Sequence, residues 1–227
     1  MSSGGRPPET ATFAQALASL KRRGSNLLLV GPAYEETHLP TSRRLLGSGD
    51  AERSRLLVLT DGADDDRRLG DLDPATVRTI TYDCPTRGAA ATTPATDGPF
   101  DLDDTVDFES ADLADLSRRI CSTVDEIAAE RGGLDAAELR LCFDSLVPLA
   151  EAFGERELFR FLHVLTAETR EAGAMAHYHL PVAPDDPIVR TLSPLFEAVV
   201  ELRTGAEGPQ QRWRLTDEDV VTEWLPV

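Results

Sequence analysis

Short apolar runs alternate with segments of helical spacing along most of this chain, and that alternation constrains the fold more than any other feature. The runs Asn26–Val30, Arg55–Thr60, Val77–Tyr82, Leu139–Phe143, Ala174–His179 and Ala198–Leu202 are aliphatic or β-branched and bounded by Gly, Asp or Pro, which is how a buried strand reads. Between and before them, 12–23, 111–131, 154–172 and 187–197 carry apolar residues three or four apart. Phe13, Leu17 and Leu20 mark the first, and Leu158, Phe161, Leu162 and Leu165 form one stripe in the third. Strand, helix and strand in sequence build βαβ units and a mainly parallel sheet. Gln211–Leu215 and Val221–Leu225 alternate around the acidic turn Thr216–Asp219, which predicts an antiparallel hairpin added at the sheet edge.

A chain of 227 residues suffices for one α/β domain with a well-buried core. The expected organisation is a disordered tail over 1–11, rich in Ser, Gly and Pro, followed by a single domain over 12–227. The stretch Cys84–Asp107 departs from the pattern. It is rich in Ala, Thr, Pro, Gly and Asp and has no periodicity, which is long for a loop in a compact domain. It reads as a mobile insert, either a spacer or a partner-binding segment.

Charge narrows the function. Carboxylates outnumber Lys and Arg by 40 to 23, the net charge is −17, and Lys21 is the only lysine. The acid is spread along the whole chain. Two readings are open, a basic partner and adaptation to a salt-saturated cytoplasm, where self-repulsion is screened within a few ångströms. The near-absence of lysine favours the second. An acidic chain of this kind also argues against direct nucleic-acid binding, which needs a basic face. No apolar run reaches the roughly 20 residues that span a bilayer, and the N-terminus lacks the apolar core of a signal peptide, so the expected location is the cytoplasm. Cys84, Cys121 and Cys142 are widely spaced, form no CxxC pattern, and read as reduced thiols.

In nucleotide-binding α/β domains the first strand leads into a loop whose backbone N–H groups cradle phosphate, in the pattern GxxxxGK[ST]. Here the strand Leu27–Val30 is followed by Gly31-Pro32-Ala33-Tyr34-Glu35-Glu36-Thr37-His38. Gly31 stands where the motif begins. Glu36 replaces its second glycine and Thr37 its lysine. Glu35 and Glu36 bring negative charge to where polyphosphate would lie, and a like charge at about 4 Å costs from 1 to several kcal/mol. Arg43 and Arg44 follow on the next helix, either as compensating cations or as solvated helix residues.

Leu139-Arg140-Leu141-Cys142-Phe143-Asp144-Ser145 is an apolar strand ending in an acid, the form in which an aspartate holds magnesium. The alternative is that Asp144 and Ser145 cap the segment that follows. Asp61, in an Asp-Gly turn after the second strand, reads as a turn residue, although a water-activating carboxylate belongs in that region of a nucleotide hydrolase.

Three runs carry a family resemblance. They are Leu141–Leu149, Phe159–Leu165 and Gly173–Leu180, followed by the element Thr191–Arg203 and the endings Arg212–Leu215 and Glu223-Trp224. Together they resemble the second half of KaiC-like proteins of the RecA superfamily, and in particular a haloarchaeal branch whose first strand follows Gly24-Ser25-Asn26 and leads into a loop without the lysine. The resemblance covers roughly 24–227 outside the insert. It implies a RecA-like three-layer α/β domain that tends to assemble with copies of itself or with a relative. It does not carry over ATP hydrolysis, because the lysine and second glycine are absent.

His177 and His179 alternate along a strand and so share a face. With Asp144 on a neighbouring strand they form either a polar ligand pocket at the strand ends or a metal site of two histidines and a carboxylate. The combined expectation is a non-catalytic regulatory or scaffold protein that acts through a protein partner or as a homo-oligomer, with no required cofactor. A degenerate nucleotide site of Gly31, Thr37, Arg43, Arg44, Asp144 and Ser145, with Asp144 on magnesium, is the alternative. A small-ligand sensor with a pocket at His177 and His179 is a further one.

Overall fold

The computed structural model describes residues 9–47, 53–60, 72–85, 111–216 and 220–227. Most of the tail 1–11, Asp61, the acidic turn over 217–219 and the insert beyond Pro85 lie outside the described residues.

The first strand, β1 (Ser25–Val30), follows helix α1 (Glu9–Arg23). A single widened turn, Tyr34–His38, then runs directly into α2 (Leu39–Leu46). Next come β2 (Ser54–Thr60), β3 (Val77–Tyr82), α3 (Ala111–Arg131), β4 (Leu139–Asp144), α4 (Leu146–Phe153) and α5 (Glu155–Glu171). The chain ends with β5 (Met175–Leu180), α6 (Pro187–Leu192) and the strands β6 (Ala198–Gly205), β7 (Gly208–Leu215), β8 (Val220–Val221) and β9 (Leu225–Pro226).

The strands form one sheet in the order β3-β2-β4-β5-β1-β6-β7-β8, with β9 also paired to β7. From β3 to β6 every pairing is parallel, and β7, β8 and β9 pair antiparallel. This order differs from the two common doubly wound arrangements, 3-2-1-4-5-6 and 2-1-3-4-5, because β5 lies between β1 and β4. The hairpin expected around Thr216–Asp219 is present as the short antiparallel pair β7–β8, with Leu215 beside Val220 and Arg214 beside Val221. The long hairpin is β6–β7, turning at Ala206-Glu207, and the last residues return as two short strands on β7. Trp224 is held there under the guanidinium groups of Arg203 and Arg212, 3.8 and 4.7 Å from the ring centroid.

Helices α3 to α6 cover one face of the sheet. Their apolar sides close over Leu28, Val30, Leu56, Val58, Leu141 and Phe143. The other face is covered in two patches. Ala16 and Leu20 of α1 pack on Leu27, Leu29, Val200 and Trp213, and Leu46 of α2 packs on Leu57, Leu59 and Cys142. The result is a three-layer α/β architecture. Between the two patches runs β5, and its register with β1 and β4 (Leu27 beside His177, Leu29 beside His179, Cys142 beside His177) places both histidines on that second face.

One helix was not expected from the spacing. Helix α4 occupies a stretch to which no element was assigned; its Pro148 is tolerated in the first turn, where the missing N–H would have no helical partner, and Gly154 at φ 82° separates it from α5. Ser145 stands at the N-terminal position of α4 but makes no side-chain cap. A buried polar knot ties the start of β1 to α5, β5 and the entry to β6. Asn26 Nδ2 donates to Thr166 O at 3.0 Å, Tyr178 OH donates to Asn26 Oδ1 at 3.1 Å, and Asn26 N donates to Glu197 Oε2 at 2.6 Å. Among the described residues no helix is long and apolar enough to cross a membrane.

Candidate functional site

The C-terminal ends of β1, β4 and β5 meet under the turn Tyr34–His38. Gly31 leaves β1 at φ 143°, and a Cβ there would lie 2.3 Å from Leu202 O. Glycine is needed at this point because β6 passes against it. This is a packing reason, distinct from the close approach of phosphate that the sequence suggested. The turn then coils back over the strand ends. Gly31 N donates to Val182 O at 2.9 Å, Tyr34 N to Pro32 O at 3.1 Å and Thr37 N to Ala33 O at 3.1 Å. Leu39 N donates to Tyr34 O. Thr37, in the place of the motif lysine, is buried and donates its hydroxyl to Ala33 O, while Thr41 Oγ1 donates to Thr37 O at 2.7 Å.

This coil buries His38 completely. Its Nε2 lies 2.8 Å from Gly31 O and its Nδ1 lies 3.0 Å from Nδ1 of His179. A carbonyl oxygen only accepts, so Nε2 carries the hydrogen. Burial holds the His38 pKa down at about 4, against smaller upward pulls from the Gly31 bond and Asp144, so at neutral pH Nδ1 holds a lone pair. His179 therefore donates from its own Nδ1, and in its neutral form it keeps a lone pair on Nε2. His177 is buried too, and desolvation first, then His179, pushes its pKa well below the ordinary value. Its Nε2 lies 2.8 Å from Ser42 Oγ, which also lies 3.5 Å from Cys142 Sγ. The rings of His38 and His179 are 5.2 Å apart by centroid, and those of His177 and His179 5.3 Å.

Asp144, at the end of β4, accepts a hydrogen bond from the Tyr34 hydroxyl, and the Tyr34 ring stacks on His38 at 5.4 Å. Just beyond, Thr60 and Ser145 exchange two bonds of 2.8 Å, Ser145 N donating to Thr60 Oγ1 and that hydroxyl donating to Ser145 O. They fix the backbone that follows the acid.

Of the residues singled out in the sequence, the structure brings Gly31, Asp144, His177 and His179 to one place. Ser145 adjoins it through its backbone, and Thr37 is buried in the overlying turn. Arg43 and Arg44 lie on the exposed side of α2, while Thr41, Ser42 and Leu46 of the same helix are buried. Glu35 and Glu36 are exposed, and Glu36 accepts from Thr204 Oγ1 at 2.7 Å. His177, His179 and Asp144 were one alternative for a metal site; the group whose ligand atoms all lie within 4.8 Å of one another is Cys142, His177 and His179. Sequence reasoning missed Tyr34, His38, Ser42 and Cys142. The available signal was the alternation on β4, since Cys142 and Asp144 sit two apart on one face as His177 and His179 do.

Fold and site together define a three-layer α/β protein with a mostly parallel sheet, whose strand-end crevice is filled by a buried cluster of imidazoles, a thiol and a hydroxyl. Residues 24–202 match DUF7504, a family of unknown function, and the chain belongs to that family. No curated protein matches it.

Proposed function

We propose that this protein is a RecA/KaiC-like regulatory or scaffold component of a halophilic cytoplasm, acting through protein contacts without turning over nucleotide. The observation that carries the reading is the closed turn after β1. Phosphate binding at such a place relies on free backbone N–H groups. Here those of Gly31, Tyr34, Thr37 and Leu39 are engaged by the chain's own carbonyls, and Pro32 and Pro40 have none. Asp144, the acid that would hold magnesium, is engaged by Tyr34. The parallel sheet with antiparallel C-terminal strands is compatible with a RecA-like core, and the net charge of −17 with almost no lysine supports the halophilic setting.

Calorimetry with ATP and magnesium in molar KCl tests the reading. The expected result is no binding heat and no phosphate release. Micromolar binding with turnover overturns it in favour of a divergent nucleotide enzyme. In that case loss of affinity in Asp144→Ala would assign the magnesium role to that acid. Co-purification at high salt, followed by sizing of the complex, identifies the partner or a self-assembled form.

A further inference from the structure

We propose that Cys142, His177 and His179 form a zinc site, with His38 as the residue that positions His179. This stands independently of the nucleotide question, since it rests on different atoms. The three ligand atoms lie within 4.8 Å of one another on two adjacent strands, and all three residues are buried. Tetrahedral zinc with bonds of about 2.0–2.3 Å keeps its ligand atoms roughly 3.5 Å apart. The longest separation therefore closes by about 1 Å, within reach of small side-chain rotations.

The donor set excludes the hard cations. One thiolate and two imidazoles suit zinc, whereas magnesium and calcium take oxygen ligands. Cys142 is packed among Leu46, Leu57 and Leu59, and a bound cation would take the place of its thiol proton. The Ser42 hydroxyl lies 2.8 Å from His177 Nε2 and 3.5 Å from Cys142 Sγ, and so adjoins the trio as a polar neighbour.

The second observation is the chain of hydrogen bonds behind His179. Ligating histidines characteristically pass their other N–H to an acceptor that fixes tautomer and ring orientation. Here His179 Nδ1 donates to His38 Nδ1 at 3.0 Å, and His38 Nε2 donates to Gly31 O at 2.8 Å. The backbone carbonyl thus sets one imidazole, which sets the next, and the lone pair is left on His179 Nε2. The same contacts join the turn Tyr34–His38 to β5, so zinc bound to β4 and β5 would also fasten the cover of the crevice.

The probe is cobalt as a spectroscopic stand-in for zinc, loaded by refolding the chelator-stripped protein with one equivalent of metal and desalting it. The expected result is one retained ion per chain with a thiolate-to-cobalt charge-transfer band. The band should vanish in Cys142→Ser and persist in Cys84→Ser and Cys121→Ser. His38→Gln should keep the band but lower zinc affinity about 10- to 100-fold, the usual cost of losing such a support. Should Cys142→Ser fail to fold, zinc-edge X-ray absorption on the unaltered chain reads the site directly, as one sulfur and two imidazole nitrogens. A shell of oxygens alone, the mark of the acidic surface, overturns the proposal. So does a band that survives Cys142→Ser, or metal lost on desalting.

Discussion

His38 and His179, 141 residues apart in the chain, face each other through their Nδ1 atoms at 3.0 Å, and only one of the two can supply the hydrogen between them. Because His38 already donates from Nε2 to Gly31 O, it accepts at Nδ1 while it is neutral. A second proton on His38 would place an N–H against the N–H of His179.

That conflict gives the metal-free protein a defined acid sensitivity. The folded His38 pKa is about 4 and the ordinary value is 6.5, so between these pH values the unfolded chain binds the extra proton and the folded chain does not. Stability from neutral His38 is fully present above pH 6.5 and falls as pH drops toward 4, by up to about 3 kcal/mol. His177 shifts in the same direction. Denaturant unfolding in the presence of chelator, at a series of pH values from 7 to 4, should show a smaller loss for His38→Gln than for the unaltered chain. Equal losses in both would refute the assignment.

Gly31→Ala is expected to be among the most damaging single-methyl additions. The new Cβ meets a backbone oxygen of β6 at 2.3 Å, in a conformation with φ 143°. Neither a rotamer change nor a flexible neighbour relieves it, and strain plus overpacking put the cost at about 3 kcal/mol or more. Thermal unfolding checks this. A midpoint within a degree of the unaltered chain would show that β6 yields easily.

Tyr34→Phe removes the hydroxyl from Asp144 and keeps the ring against His38. A hydrogen bond to an acid is worth about 1.5–3 kcal/mol, and the variant should lose about that much stability. It should still bind no ATP, because the N–H groups of Gly31, Tyr34, Thr37 and Leu39 stay engaged. Calorimetry on the variant separates the two effects: if removing the hydroxyl alone restored nucleotide binding, the tyrosine and not the turn would be the block.

Salt should stabilise the fold. A net charge of −17 repels itself in dilute buffer, and screening shortens that repulsion to about 3 Å at 1 M salt. The melting temperature should rise steadily from 0.1 to 2 M KCl, and sodium chloride should do nearly as well. A flat or falling curve would remove the main support for a salt-rich setting.

Much of the fold was legible because its signals are local. The stripe over 111–131 coincides with Ala111–Arg131, and the run Val77–Tyr82 coincides with β3. Helix α4 was hidden by its brevity and by Pro148, which reads as a break yet sits in a first turn where it does no harm. The site was half legible. Pairing His177 with His179 followed from alternation along a strand, but His38 appeared only as a misfit in a phosphate-loop pattern.

Sequence by itself determined that this chain alternates strands and helices, that its first loop lacks the lysine and second glycine of a phosphate cradle, and that its surface is acidic. Those properties live in neighbouring residues and survive without knowing who touches whom. Tertiary structure alone decided that β5 lies between β1 and β4, and therefore that Cys142, His177, His179 and His38 meet in one buried cluster. Strand order depends on how whole layers pack, and no spacing along the chain records it.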